Sequence, residues 1–325
     1  MPRLLPVPTI ELSLDHCLLF LELLRREGLS IRSLGCFQNP TLYERCHVLS
    51  DLLMQAIEPA VREALDDPAM AIFALDIPEG IDADPNSDAI FSAVIAMTIM
   101  GRMFNPMIDP ANNTPFTIYN ASPENEKRLM KAGLHYFSSG EKLGFHTDGS
   151  VDGETVRVPE FIGLYNVLIN YQKPGNLYWV PFSLWEQLDE FAERFGWAVP
   201  YQIELTPTVY SRADAMRFHA SRHVYVPIFS HAEDHEAVVF FDGRVTGRQP
   251  FNGEEIEPLV AEMGQSISFN PVRYCIPQRQ RRLVLARNDR GFHARDMLEK
   301  PYEGCKYTRS FIRAVSECGP LVATC

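Results

Sequence analysis

The sequence predicts a mainly β fold with added helices, a sandwich or jelly roll carrying a helical N-terminal third, on three observations. Apolar residues recur at three- and four-residue spacing up to about Phe104. After the turn cluster Asn112-Asn113-Thr114-Pro115 the pattern changes to short extended runs between polar loops. No internal repeat, low-complexity tract or linker interrupts the chain. Residues 1–325 therefore read as a single domain, with 1–110 a helical scaffold and 111–325 the β core.

In the first third, Val48, Leu49, Leu52, Leu53, Ala56, Ile57 and Val61 outline one helix that Pro59 is expected to kink or divide. Ala71 to Ile77 reads as a short strand, and Ser87 as the cap of a buried helix from Asp88 to Met103. Eight strands are expected beyond it: Phe116 to Tyr119, Gly133 to Ser138, Phe161 to Tyr171, Leu177 to Val180, Ala237 to Phe241, Ser266 to Phe269, Arg282 to Ala286 and Tyr307 to Val315. Ser183 to Glu186 has capping-box form, so a helix starts there and ends at Gly196. Glu254 to Met263 forms a shorter insertion.

Composition excludes several function classes. With 46% hydrophobic and 22% charged residues the 325-residue chain can bury a substantial core. A net charge of −12 disfavours a nucleic-acid partner, which a basic stripe would mark. The 7 cysteines are odd in number and contain no C-x-x-C pair, so they read as reduced thiols. Leu18 to Leu24 lacks the form of a signal-peptide core, and Ala89 to Gly101 is too short to span a bilayer. The expectation is a cytoplasmic enzyme with no membrane partner; homo-oligomer formation is left open.

The chemistry centres on Gly144-Phe145-His146-Thr147-Asp148-Gly149. In an extended segment residues i and i+2 face the same way, so His146 and Asp148 can share one metal ion while Thr147 points away. His293, within Arg290-Gly291-Phe292-His293-Ala294-Arg295 and after an apolar strand-like run, is the candidate third ligand. Two histidines and a carboxylate suit non-haem Fe(II), with open positions for cosubstrate and oxygen. An H-x-D/E pattern alone is weak, since His231-Ala232-Glu233 repeats it. Weight comes from Arg309 and Arg313, four apart on one face of the last strand, because an inward arginine in an apolar strand needs an anion.

These residues resemble the Fe(II)/2-oxoglutarate-dependent oxygenases of the clavaminate synthase and taurine dioxygenase type, most nearly the glutarate hydroxylase branch. The resemblance runs from about Gly133 to Arg313 through HTDGS, FIGLYNVLIN, KPGNLYW, SLWEQLDEFAERFG, RNDRGFHARD and YTRSFIRA. It implies a double-stranded β-helix and an enzyme, a dioxygenase that uses Fe(II), 2-oxoglutarate and O2. It also implies that His146, Asp148 and His293 hold iron, that Arg309 binds the distal carboxylate of 2-oxoglutarate, and that Arg313 lies near the substrate; the two arginines could exchange these roles. Where the family often has Gly-Gly-x-Thr or Ser, this chain reads Pro174-Gly175-Asn176-Leu177, so a cosubstrate contact falls to Asn176 or another residue. Because Asp148 stands where the family's halogenases lack a carboxylate, the expected reaction is hydroxylation of a small carboxylate, a glutarate-like diacid or free amino acid, with desaturation or cyclisation as alternatives. Tyr165, Tyr178 and Trp179 are candidates for the pocket or the core, and Glu141, Glu154 or Asp296 for reading an ammonium group.

Two rival readings remain. His219 and His223, at i and i+4 on a helix and followed by His231 and His235, would suit a zinc hydrolase, although Arg222 sits beside them and no H-E-x-x-H is present. A non-catalytic β-sandwich that binds an anionic metabolite through Arg309 and Arg313 is the other.

Overall fold

The computed structural model describes residues 2–108, 114–131, 138–152, 155–205, 222–231, 236–242, 248–249 and 253–316. Its centre is two sheets. In the five-stranded sheet the order is Arg3–Pro6, Val272–Pro277, Asn176–Pro181, Gly291–Arg295 and Leu143–His146. The six-stranded sheet runs Thr9–Glu11, Ile72–Asp76, Arg282–Arg287, Phe161–Ile169, Arg309–Val315 and Thr117–Ala121. Pairing is antiparallel except at the two N-terminal strands, each of which joins its sheet in parallel.

Alternation along the strands builds three cores. Between the sheets, Trp179, Tyr274 and Ile276 of the first meet Ile72, Ala74, Ile162, Val284, Ala286 and Val315 of the second. On the far side of the six-stranded sheet, Tyr165, Leu285, Ile312 and Ala314 pack under the helices Leu14–Arg26, Pro40–Leu49, Asp51–Asp66 and Pro85–Met103. Phe292 and Ala294 point the other way from the five-stranded sheet, onto the helices Leu188–Phe195 and Glu257–Phe269. Since neighbours in a strand face opposite ways, burying Phe292 and Ala294 outward turns His293 and Arg295 inward. Trp179 crosses Gly291 so closely that a Cβ there would stand 2.4 Å from the indole, so only glycine fits. The indole N–H is satisfied by the carbonyl of Met70 at 2.7 Å.

Several local expectations are corrected. Ser266 to Phe269 is the last turn of the helix Glu257–Phe269, not a strand. Val260, Met263 and Ile267 bury one helical face, and Ser268 Oγ donates to the carbonyl of Gly264 one turn back. The helix expected across Val48 to Val61 is divided at Ser50, whose Oγ donates to the carbonyl of His47, whereas Pro59 lies inside the continuous helix Asp51–Asp66. Asp84, not Ser87, caps Pro85–Met103, accepting from the Ser87 N–H at 2.8 Å. The capping-box residues from Ser183 form a short 3₁₀ turn, and the helix itself begins at Leu188; Gly196 ends it with φ +79°. The expected strand Gly133 to Ser138 lies almost wholly outside the described residues. His223 sits in the strand Arg222–Pro227, which removes the helical geometry that pairing with His219 required; His219 and His235 lie outside the described residues. Among the described residues, Cys17, Cys46, Cys275 and Cys305 form no disulfide, and no helix is long and apolar enough to cross a membrane.

Candidate active site

The strand Leu143–His146 pairs with Gly291–Arg295 so that His146 stands directly opposite His293, which explains how residues far apart in sequence become neighbours. Their ring centroids are 4.1 Å apart. Thr147 turns away, as i, i+2 alternation requires, and is 2% exposed; its N–H donates to the carbonyl of Phe241 at 2.7 Å and its Oγ1 accepts from the Phe241 N–H at 2.8 Å. Asp148 then faces the two imidazoles, with Oδ1 at 3.8 Å from His146 Nε2 and 3.9 Å from His293 Nε2. One donor atom from each of the three lies within 4.8 Å of the others, and among the described residues this is the group of three or more such side chains so placed.

The donor set fits a metal ion. Gly144 O and His146 Nδ1 are 2.9 Å apart, so a proton on Nδ1 leaves the Nε2 lone pair directed at the cluster. Burial, followed by the charge of His146, pushes His293 down to about 3, which keeps it the neutral imidazole that a metal needs. Burial alone would raise Asp148, yet the Arg313 guanidinium and the two histidines hold its carboxyl well below the usual range. Arg313 donates to Oδ2 through Nη2 at 2.7 Å and Nε at 3.2 Å, which leaves Oδ1 to the imidazole side. Although burial opposes it, Asp148 and Tyr119 hold Arg313 firmly charged. Asn288, fully buried, grips the same loop: its Oδ1 accepts from the Asp148 N–H at 2.8 Å, and its Nδ2 donates to the carbonyls of Asp148 and Pro159.

Arg309 shares the inner face of its strand with Arg313, while Ile312 and Ala314 serve the helical side. A bulge in the pairing, with Ser310 opposite Leu168 but Phe311 opposite Asn166, brings the Asn166 amide to the arginine. Arg309 is buried; among the described residues its Nη2 donates to neutral oxygens, Asn166 Oδ1 and Gln278 Oε1, each at 3.0 Å, its Nε has no hydrogen-bond partner, and its guanidinium lies over the Phe311 ring, 4.4 Å from the centroid. Burial, and then the nearby Arg295, depresses its pKa to about 9. A buried cation without a carboxylate fits an anionic ligand.

Other candidates are placed differently. Asn176 Nδ2 donates to Asp296 Oδ2 and the Tyr178 hydroxyl, so the amides on Arg309 are Asn166 and Gln278. Tyr165 is core, its hydroxyl donating to Ser92 Oγ at 2.9 Å, as is the wholly buried Trp179. Tyr178 donates to Asp296 Oδ2 at 3.0 Å. Glu141 is partly buried beside the Ser138-Ser139 turn, and Glu154 lies outside the described residues. Sequence reasoning missed Asn288, Gln278, Asn166 and Arg295, polar residues whose only signal was their place within apolar strands or at strand ends.

No family model and no curated protein matches this sequence. Solved structures do match over nearly the whole chain. An asparagine oxygenase aligns with TM-score 0.65 and 14% identity, covering 95% of this chain and 92% of its own. The same oxygenase in complex with Fe(II), 3-hydroxyasparagine and succinate gives 0.65 and 13%, covering 95% and 93%. The non-haem iron oxygenase OrfP, in complex with iron, succinate and a dihydroxyarginine, gives 0.66 and 14%, covering 95% and 94%. At these identities the likeness establishes a common fold: this chain has the fold of non-haem iron oxygenases, mostly β with packed helices.

Proposed function

We propose that this chain is an Fe(II)/2-oxoglutarate-dependent oxygenase on a double-stranded β-helix, which hydroxylates an aliphatic carbon of a small carboxylate, a free amino acid in preference to a glutarate-like diacid. The observation that carries this reading is the convergence of His146, Asp148 and His293 in a fold shared with iron oxygenases, alongside a buried arginine that pairs with no carboxylate among the described residues. When bound, iron with 2-oxoglutarate and oxygen supplies oxidative decarboxylation, giving succinate and carbon dioxide and the means to oxidise a C–H bond.

The residues have distinct tasks. His146 Nε2, His293 Nε2 and Asp148 Oδ1 would hold the metal on one face and leave positions for cosubstrate and oxygen. Arg309 would bind the distal carboxylate of 2-oxoglutarate, with Asn166 and Gln278 fixing the guanidinium plane. Arg313 would bind the substrate carboxylate: Asp148 and Tyr119 do not exhaust its five N–H groups. Asn288 would keep Asp148 in place by gripping its backbone. An amino-acid substrate is supported by the hydroxyasparagine and hydroxyarginine bound in the structural neighbours. A glutarate-like diacid is the second candidate, on the motif resemblance.

The test is to supply Fe(II)-loaded protein with 2-oxoglutarate and a panel of amino acids and diacids, measuring succinate and product mass. Succinate coupled to the gain of one oxygen on one small carboxylate supports hydroxylation, and a loss of two hydrogens would reassign the reaction to desaturation or cyclisation. Turnover with a diacid alone would exchange the two substrate classes. No 2-oxoglutarate consumption with any member, despite tight metabolite binding, would favour a non-catalytic binding protein.

A further inference from the structure

A second buried guanidinium stands near Arg309 and has no role in the reading above. Arg295 follows His293 by two residues, so its side chain leaves the same inner face of the strand Gly291–Arg295. In the ladder it stands opposite Leu177, the position at which the sequence offers no hydroxyl. Arg295 is 8% exposed and is paired with no carboxylate among the described residues. Its Nη1 donates to the carbonyls of Ser139 at 3.1 Å and Asp296 at 3.0 Å, and its Nη2 to that of Ser138 at 3.0 Å.

The surrounding contacts join Arg295 to the surroundings of Arg309. Gln278, which accepts from Arg309, donates through Nε2 to the carbonyl of Pro174, and its N–H donates to that of Gly175. Gly175 has φ +67°, and a Cβ there would meet the Asp296 Cβ at 2.6 Å, so the turn before Leu177 packs tightly against the residue after Arg295. Glu126 acts on both arginines and Asp296 on Arg295, and Glu126 also holds the turn that Arg295 grips: its Oε1 accepts from the Ser139 N–H at 3.0 Å, and its other oxygen accepts from the Ser138 hydroxyl. Among the described residues, two carboxylates thus act on the buried guanidiniums, Glu126 and Asp296, and neither forms an ion pair with them, since Glu126 is engaged by the Ser138-Ser139 turn and Asp296 by Asn176 and Tyr178. The guanidinium charge is fixed in a buried region, where it acts on the distal carboxylate of a 2-oxo acid and not on a methyl group.

We propose that Arg295 is a positioning residue that sets cosubstrate choice: by bracing the Ser138-Ser139 turn and adding a second fixed charge beside Arg309, it makes the site prefer a 2-oxo acid with a distal carboxylate. This rests on the oxygenase reading. Arg295 acts through the turn it braces and through Arg309, its own Nη groups being engaged with backbone carbonyls.

Anaerobic calorimetry on the Fe(II)-loaded protein tests this, with 2-oxoglutarate and 2-oxovalerate, which lacks the distal carboxylate, as probes. Arg295→Gln should weaken 2-oxoglutarate about tenfold or more while changing 2-oxovalerate by less than about twofold, and Arg295→Lys should recover most of the ratio. A loss shared equally by both acids, in Gln and Lys variants alike, would reduce Arg295 to a structural brace and overturn the proposal, as would an unchanged ratio in Arg295→Gln. If Arg295→Gln does not fold, Glu126→Gln decides: removing that carboxylate should raise the preference for 2-oxoglutarate severalfold, and an unchanged preference overturns the proposal. A wild-type protein that binds neither acid would overturn the oxygenase reading itself, and this inference with it.

Discussion

Two guanidiniums four residues apart on one strand, Arg313 and Arg309, occupy opposite electrostatic situations. Arg313 meets the Asp148 carboxylate at 2.7 Å and is held charged, whereas among the described residues Arg309 meets two amide oxygens and the face of the Phe311 ring but no carboxylate, and has its pKa depressed to about 9. The residue type, strand and face are the same, so the difference lies in which counterion the fold supplies. Around the triad the charges are balanced by the protein's own groups. Around Arg309, among the described residues, no carboxylate pairs with the cation, and on the proposed function a ligand anion would complete the balance.

Ways to break that contrast begin at the metal donors. His293→Ala should abolish Fe(II) binding, measured by metal analysis after anaerobic loading, a loss beyond the about 10–100-fold that outer partners typically cause. Arg309→Ala should weaken 2-oxoglutarate by two orders of magnitude or more, since removing one partner of a buried charged pair costs about 3–5 kcal/mol. If the 2-oxoglutarate constant is unchanged and the substrate constant rises instead, the two arginines exchange roles. Asn288→Ala leaves the Asp148 N–H unpaired and should lower iron affinity about 10–100-fold, with the preference between 2-oxo acids unmoved.

Smaller effects sharpen the comparison. Without metal or cosubstrate, Arg309→Met removes a buried cation that meets no carboxylate among the described residues and should raise the melting temperature, while Arg313→Met orphans the Asp148 carboxylate and should lower it, with a loss of about 3–5 kcal/mol of stability. Shifts of the same sign would contradict the contrast. The smallest effect is expected from Leu177→Thr, which adds a hydroxyl opposite Arg295 and should tighten 2-oxoglutarate by about 0.5–1.5 kcal/mol, read as its dissociation constant.

The parts of the site legible in the sequence were those encoded by local spacing. His146 and Asp148 are brought to one side by strand alternation, and Arg309 and Arg313 by the same rule. The apolar run before His293, Arg282 to Ala286, was legible as a strand, but it belongs to the six-stranded sheet; the strand Gly291–Arg295 that carries His293 was not expected, and its pairing with Leu143–His146 follows from sheet order, which local pattern does not encode. The N-terminal strands Arg3–Pro6 and Thr9–Glu11 were missed because Pro2, Pro6 and Pro8 mask them as loop, and only a parallel edge position accommodates them. Ser266 to Phe269 misled for the opposite reason: a short alternating run resembled a strand until Val260, Met263 and Ile267 were seen to share a helical face. Asn288 and Gln278 were illegible because each acts through contacts with residues distant in the chain, and no spacing announces them; the i, i+2 spacing of His293 and Arg295 would have turned Arg295 inward, had the strand Gly291–Arg295 been expected.

The most direct measurement is an anaerobic titration of the wild-type protein with Fe(II) and then 2-oxoglutarate, following the weak visible charge-transfer absorption of the complex. The account predicts a band that saturates at one iron and one 2-oxoglutarate per chain, is lost in His146→Ala and His293→Ala, and needs far more 2-oxoglutarate in Arg309→Ala. A band that persists unchanged in both histidine variants, or a wild-type protein that gives none while retaining stoichiometric zinc through His219 and His223, would contradict it.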